Sequence, residues 1–165
     1  MQNVRYIAAG LSDADMLWLL SVGKLKKLAV GERLVTAGKL PAELFFITDG
    51  KLDVLLEDGR LVAQLQQGDV VGEMSFVEQN PPGASVLASG PAEVLAIPRK
   101  LIVAHFEEEP LFAARFYRAL AVFLSERLRD TTRAVRLANE EELSRQKADR
   151  AARARFAKLF VKSGP

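Results

Sequence analysis

The chain has 165 residues, 49% of them hydrophobic, and a formal net charge of +2. That length holds one domain with an appendage, the apolar share suffices for a packed core, and so small a charge gives the chain as a whole no strong pull toward nucleic acid. There is no cysteine and a single histidine, His105, which excludes disulfides, thiol nucleophiles and Cys- or His-rich metal sites and leaves little for Ser-His catalysis. With no paired acids at metal-ligand spacing either, no enzyme is expected. No apolar run reaches the length of a membrane span, and Met1-Gln2-Asn3-Val4-Arg5 lacks a signal-peptide pattern, so the expectation is a soluble cytoplasmic protein.

Taken in order, Ser12-Asp13-Ala14-Asp15 places a capping hydroxyl and an acid three residues on, ahead of Met16-Leu17-Trp18-Leu19-Leu20. This predicts a short helix over 12–22 that ends near Gly23. From Lys24 to Pro98 short runs rich in Val, Ile, Leu and Phe alternate with glycine-bearing turns. Strands are predicted at Leu25–Val30, Arg33–Thr36, Leu44–Thr48, Leu52–Glu57, Leu61–Leu65, Ser85–Ala88 and Val94–Ile97. Asp58-Gly59 reads as a two-residue hairpin turn, because both residue types tolerate positive φ. Evenly spaced short strands of this kind suggest a jelly roll or barrel.

The stretch from Val71 to Val86 interrupts the strands. Gly72-Glu73 opens a short helix-compatible run through Met74, Ser75 and Phe76, which breaks at Pro81-Pro82-Gly83 and returns to a strand through Ala84-Ser85. A glycine before a helix start lets backbone approach a ligand closely, the first-turn amides suit an anion, and Glu73 beside them suits sugar hydroxyls. Two readings stand at this point: a pocket for a sugar phosphate, and an ordinary tight turn in a β-barrel.

After Pro98 the period turns helical. Arg99–Glu107 forms a short helix, and Pro110 suits the first turn of another. Phe112, Phe116, Leu120, Phe123, Leu124, Leu128, Thr131, Val135 and Ala138 recur at three- and four-residue steps. One helix from Pro110 to about Lys162, near 80 Å long at 1.5 Å per residue, is the first expectation, and a break near Asn139-Glu140 is the alternative. A single small barrel cannot cover so long a stripe, which points to a second copy of the chain.

With these residues in view, the chain resembles the cyclic nucleotide-binding domain family over roughly Leu11 to Arg133. The glycines at Gly31-Glu32, Gly38, Gly50, Gly68-Asp69 and Gly72-Glu73 fall in that family's order. Leu44-Phe45-Phe46-Ile47-Thr48-Asp49-Gly50 is similar to its "YFI…G" strand, and Val94–Ile97 followed by Pro98 and a helix matches as well. The resemblance implies an α+β, mainly β fold: an eight-stranded double-stranded β-helix, or jelly roll, over 24–98, with hinge and lid helices over 99–133. It makes residues 1–133 one domain and 134–165 a basic helical extension without a helix-turn-helix domain. It also implies that 72–85 is a phosphate-binding cassette for cAMP or another cyclic nucleotide. The implied ligand set is Gly72, Glu73, Met74, Ser75, Ala84 and, if it points inward, Ser85, with Phe123 and Arg127 from the lid.

One position departs from the family. Where the family carries "P-R-x-A", this chain has Pro81-Pro82-Gly83-Ala84, so Pro82 stands at the place of the arginine. That guanidinium makes a charge-assisted bidentate pair with the cyclic phosphate, and its loss costs about 1.5–3 kcal/mol. Arg127 and Arg129 on the lid are conceivable substitutes; pairing with Glu126 and Asp130 is the plainer expectation. Phe123 lies on the apolar stripe, where packing is the commoner fate, and His105 reads as a packed or surface residue.

Beyond the lid, Leu143–Pro165 holds seven Lys/Arg against one acid, Asp149, with Phe156, Leu159, Phe160 and Val161 near the end. Such a segment suits an anionic surface or a protein partner, while specific DNA binding is not expected. The sequence thus supports a regulatory module that senses a cyclic nucleotide weakly and signals through its C-terminal helix. The alternative is a non-binding scaffold that dimerises through that helix.

Overall fold

The computed structural model describes residues 10–161. The chain divides into two compact units, one ending at Phe123 and one beginning at Leu124.

Helix α1 (Asp13–Val22) starts as its sequence dictates. The Asp15 amide donates to Ser12 Oγ at 3.2 Å and the Ser12 amide donates to Asp15 Oδ2 at 2.8 Å, a reciprocal cap. Eight strands follow among the described residues: β1 (Lys24–Leu28), β2 (Arg33–Val35), β3 (Glu43–Asp49), β4 (Lys51–Leu55), β5 (Leu61–Gln66), β6 (Val70–Val71), β7 (Ser85–Ala88) and β8 (Ala92–Pro98). They form two antiparallel four-stranded sheets, ordered β1-β8-β3-β6 and β2-β7-β4-β5. Seven of these strands are predicted from periodicity. The eighth, Val70–Val71, is too short to show a period and becomes a strand through Phe45 and Phe46 of β3 opposite it.

The β4–β5 hairpin corrects one expectation. Its loop is not a two-residue turn with positive φ at both positions. Gly59 takes φ +83°, whereas Asp58 does not enter that region. The Gly59 amide donates to the Leu56 carbonyl at 3.0 Å, and the Leu56 amide donates to the Arg60 carbonyl at 3.0 Å. This is a three-residue loop with the glycine as its left-handed member, the next commonest solution to the same hairpin.

The core lies between the sheets. Val35, Phe45, Ile47, Leu52, Leu65, Val86 and Val94 point into it, with the small side chains of Ala88, Ala92 and Ala96. On β8, Leu95 and Ile97 are buried too, on the outer face of the first sheet where α1 and the helix after β8 pack, while Glu93 is half-buried. A strand covered on both sides reads as a continuous apolar run, as this one does. A cavity of about 290 Å³ lies at that outer face, lined by Met16, Leu19 and Leu20 of α1 and by Phe46, Leu95 and Ile97.

Three further helices follow α1 among the described residues: α2 (Glu73–Glu78), α3 (Arg99–Glu108) and α4 (Pro110–Val161). Within the first unit, α1, α2, α3 and the start of α4 share an aromatic cluster. Trp18 stacks on His105 with ring centroids 3.9 Å apart and planes 8° from parallel, and meets Phe112 edge-on at 5.2 Å. Phe76 meets Phe116 at 5.7 Å and Phe106 at 6.2 Å. Arg115 of α4 closes a bidentate pair on Asp15 of α1, at 2.6 and 2.7 Å. The hydrogen bond from Arg115 holds the buried Asp15 carboxyl well below the usual carboxylate range.

α4 continues without interruption through Asn139-Glu140, so the break weighed for that position does not occur. In the second unit its side chains are largely exposed, among them Leu128, Val135, Leu137 and Leu143.

Candidate ligand-binding site

The stretch 72–85 builds a defined corner of the first unit. Gly72 caps α2 with φ +90°, a conformation that costs an L side chain strain, although a Cβ there would meet nothing closer than the Glu43 carbonyl at 3.5 Å. The backbone angle, not crowding, is the reason for glycine. α2 ends at Gln79, itself left-handed with φ +61°. In between, Glu73 and Ser75 are buried, whereas Met74 is 57% exposed and offers the corner only its backbone. A carboxylate in the first turn of a helix sits at the favourable end of the helix dipole.

The return to β7 is fastened to the loop between β2 and β3. The Gly38 amide donates to the Pro82 carbonyl at 2.8 Å, and the Ala37 amide donates to Ser85 Oγ at 3.0 Å. Val86 and Ala88 belong to the core, so strand alternation turns Ser85 to the opposite face. The condition set for Ser85 as a ligand residue, that it point inward, is not met: its hydroxyl secures a loop. Ala84 precedes the strand and is half-buried, as is Pro82.

The corner does contain an arginine, though not where the family motif places one. Arg99, at the start of α3, is 9% exposed. It donates to the Ser75 carbonyl at 2.9 Å and to the Pro41 carbonyl at 3.0 Å, and its guanidinium lies 5.5 Å from the centre of the Phe76 ring. It is committed to backbone carbonyls of α2 and of the loop before β3. Sequence reasoning passed over it, although one signal was present: a cation in the first turn of a helix opposes that helix's dipole and calls for another purpose.

The remaining candidates separate. Phe123 is 2% exposed, its ring covered by protein. Arg127 lies in the second unit and is partly buried. Arg129 pairs with Glu126, the plainer of its two expected fates. His105 is the packed residue anticipated, against Trp18. Among the described residues no group of His, Cys, Asp and Glu is arranged to hold a metal ion.

The profile of the cyclic nucleotide-binding domain matches residues 25–109, a span from β1 into the end of α3 that includes the whole corner. The chain belongs to the cyclic nucleotide-binding domain family. A glutaminase, Glutaminase 1 of Bradyrhizobium diazoefficiens, is 32% identical over 119 residues, which are 72% of this chain and 19% of the glutaminase. The chain therefore spans about a fifth of that relative's length. Among solved structures, the catabolite activator protein of Thermus thermophilus superposes with a TM-score of 0.62 at 27% identity, covering 81% of this chain and 63% of that one. A cyclic nucleotide-binding domain from Methylobacillus flagellatus superposes with a TM-score of 0.71 at 21% identity, covering 80% and 82%, and so shares the fold. The corner from Gly72 to Ser85 lies inside the matched span and holds no arginine of its own. The domain is of a regulatory, nucleotide-binding kind. No described helix is long and apolar enough to cross a membrane.

Proposed function

We propose that this cyclic nucleotide-binding domain is a regulatory module that takes cAMP or a related cyclic nucleotide at the 72–85 cassette, weakly, and signals through its C-terminal helix. The observation that carries the proposal is the geometry of this corner in a domain of this family: Gly72 is left-handed at φ +90° before α2, with Glu73 buried directly after it. The ligand set is Gly72, Glu73, the backbone of Met74, Ser75 and Ala84. Phe123 and Arg127 belong to the lid part of the proposal, and Phe123 has to be uncovered before a base can stack on it. Weakness follows from Pro82, which supplies neither charge nor donor to a phosphate; the missing guanidinium is worth about one to two decades of affinity.

Titration calorimetry with cAMP and cGMP, beside thermal unfolding, tests this reading. Heat and a ligand-dependent rise in Tm are expected at high micromolar to millimolar nucleotide, and Glu73→Gln weakens both. Pro82→Arg is expected to tighten binding about 10- to 150-fold by restoring the charged donor. If neither the natural chain nor Pro82→Arg shows heat at millimolar nucleotide, the sensor reading is wrong.

A second reading has its own observation. Pro82 and the engaged Ser85 hydroxyl leave the cassette without its usual phosphate partners, which suits a scaffold that dimerises through α4 and offers its basic end, from Arg145 onward, to an anionic surface or acidic partner. Persistent dimerisation with no nucleotide response in either chain favours it.

A further inference from the structure

Helix α1 is fixed at both ends and stands off the first sheet in between. At its start, Asp15 is gripped by Arg115 through two bonds, at 2.6 and 2.7 Å. At its end the fit leaves no room: a Cβ on Gly23 would lie 2.7 Å from Leu95 Cδ1 and 2.9 Å from Leu95 Cγ. Between these points lies the cavity of about 290 Å³. Met16, Leu19 and Leu20 line it from α1, and their spacing of three and four residues puts them on one helix face. Phe46 of β3 and Leu95 of β8, paired across the sheet, line it from the other side. With both ends of α1 pinned, the helix cannot sink to close the gap.

The lining states what the space suits. An apolar cavity of about 150 Å³ takes benzene, so one of this size accommodates a chain or ring system of about ten carbons. The cavity meets solvent where Leu20, 56% exposed, and the exposed Gln67 stand at its edge, which gives a ligand a way in. None of the described lining residues is charged, so a charged ligand would be buried without a partner. Thr48 is also in the lining, and its hydroxyl donates to Glu93 Oε1 at 3.0 Å. That bond uses the proton and leaves the oxygen to accept. The Glu93 carboxylate beside it repels an acid.

We propose that the space between α1 and the outer face of the first sheet is a binding site for a neutral, mainly apolar molecule of medium chain length with one hydroxyl or amide end, which donates to Thr48 Oγ1. Sites of this kind are lined by apolar side chains with one or two placed polar groups. None of the described lining residues belongs to the 72–85 corner, so the proposal stands apart from the sensor reading.

Two methionines serve as reporters: Met16 lines the cavity, and Met74, 57% exposed, sits at the 72–85 corner. The full chain, with its methionine methyl groups labelled with carbon-13 for NMR, is titrated at neutral pH with decanol and with decanoate. Decanol is expected to move the Met16 methyl resonance saturably and to leave that of Met74 in place. Decanoate, the same chain with a charged head, is expected to bind at least about tenfold more weakly. Thr48→Val keeps the shape and removes the acceptor, and is expected to weaken decanol binding about 2- to 12-fold. Leu20→Trp fills the opening from an exposed position and is expected to abolish the Met16 response; if it does not fold, Thr48→Val decides. The proposal is overturned if Met16 does not respond up to the solubility limit of decanol, if Met74 moves in step with it, if decanoate binds as tightly, or if the variants bind decanol as wild type does.

Discussion

Gly50 and Gly59 take the same backbone conformation, φ +83° at both, yet they are not equivalent. A Cβ on Gly59 would meet nothing within 4 Å, whereas one on Gly50 would lie 2.5 Å from the Pro91 carbonyl and 2.7 Å from Ala92 Cα. Gly59→Ala is therefore expected to cost only the left-handed penalty, about 1–2 kcal/mol. Gly50→Ala adds a backbone overlap to that penalty and is expected to cost about 1–3 kcal/mol more. Urea unfolding of the two variants, with the midpoints compared at constant slope, checks the ordering. Equal midpoints would show that the β3–β4 turn yields without cost. In sequence both are glycines in turn-like surroundings. Nothing near Gly50 in the chain announces Pro91, which arrives only when β8 pairs with β3.

Among the elements, α1 shows what a cap pattern tells and what it leaves out. Ser12 and Asp15 mark the start of the helix, and the structure keeps that cap. Asp15 then takes on a second duty with Arg115, one hundred residues away, that no local pattern encodes. Its folded carboxyl titrates well below the ordinary carboxylate value, first through the Arg115 hydrogen bond. A lowered folded value means that the unfolded chain binds the proton more readily. The pair's contribution to stability is thus complete above the ordinary aspartate value of about 3.9 and is lost progressively as pH falls below it. Asp15→Asn is expected to lower Tm at neutral pH and to flatten the fall of Tm below about pH 4, where wild type keeps descending. Parallel Tm curves for the two proteins down to acid pH would remove Asp15 from the account.

For the whole molecule, the open question of mass turns on α4. Its second-unit stretch leaves Leu128, Val135 and Leu143 exposed by half or more, and apolar groups at steps of seven and eight residues share one helix face, which suits burial against another helix. We expect sedimentation to give twice the 18.1 kDa of one chain, and Val135→Asp to shift the mass toward the monomer by placing a charge in the seam. Wild type sedimenting as a single chain at all concentrations excludes the dimer. How much of this molecule was legible beforehand follows the range of the forces involved. Strand periods, the Ser12 cap, the Gly72 corner, the lack of an arginine between Gly72 and Ser85 and the unbroken helix from Pro110 are local matters of backbone angle and side-chain type, and they can be read along the chain. The outward turn of Ser85, the grip of Arg99 on α2, the Asp15–Arg115 pair and the burial of Phe123 depend on which surfaces meet. Those meetings are settled when two sheets close over one core and helices far apart in sequence compete for the same face, because packing acts through space and carries no mark in the order of residues.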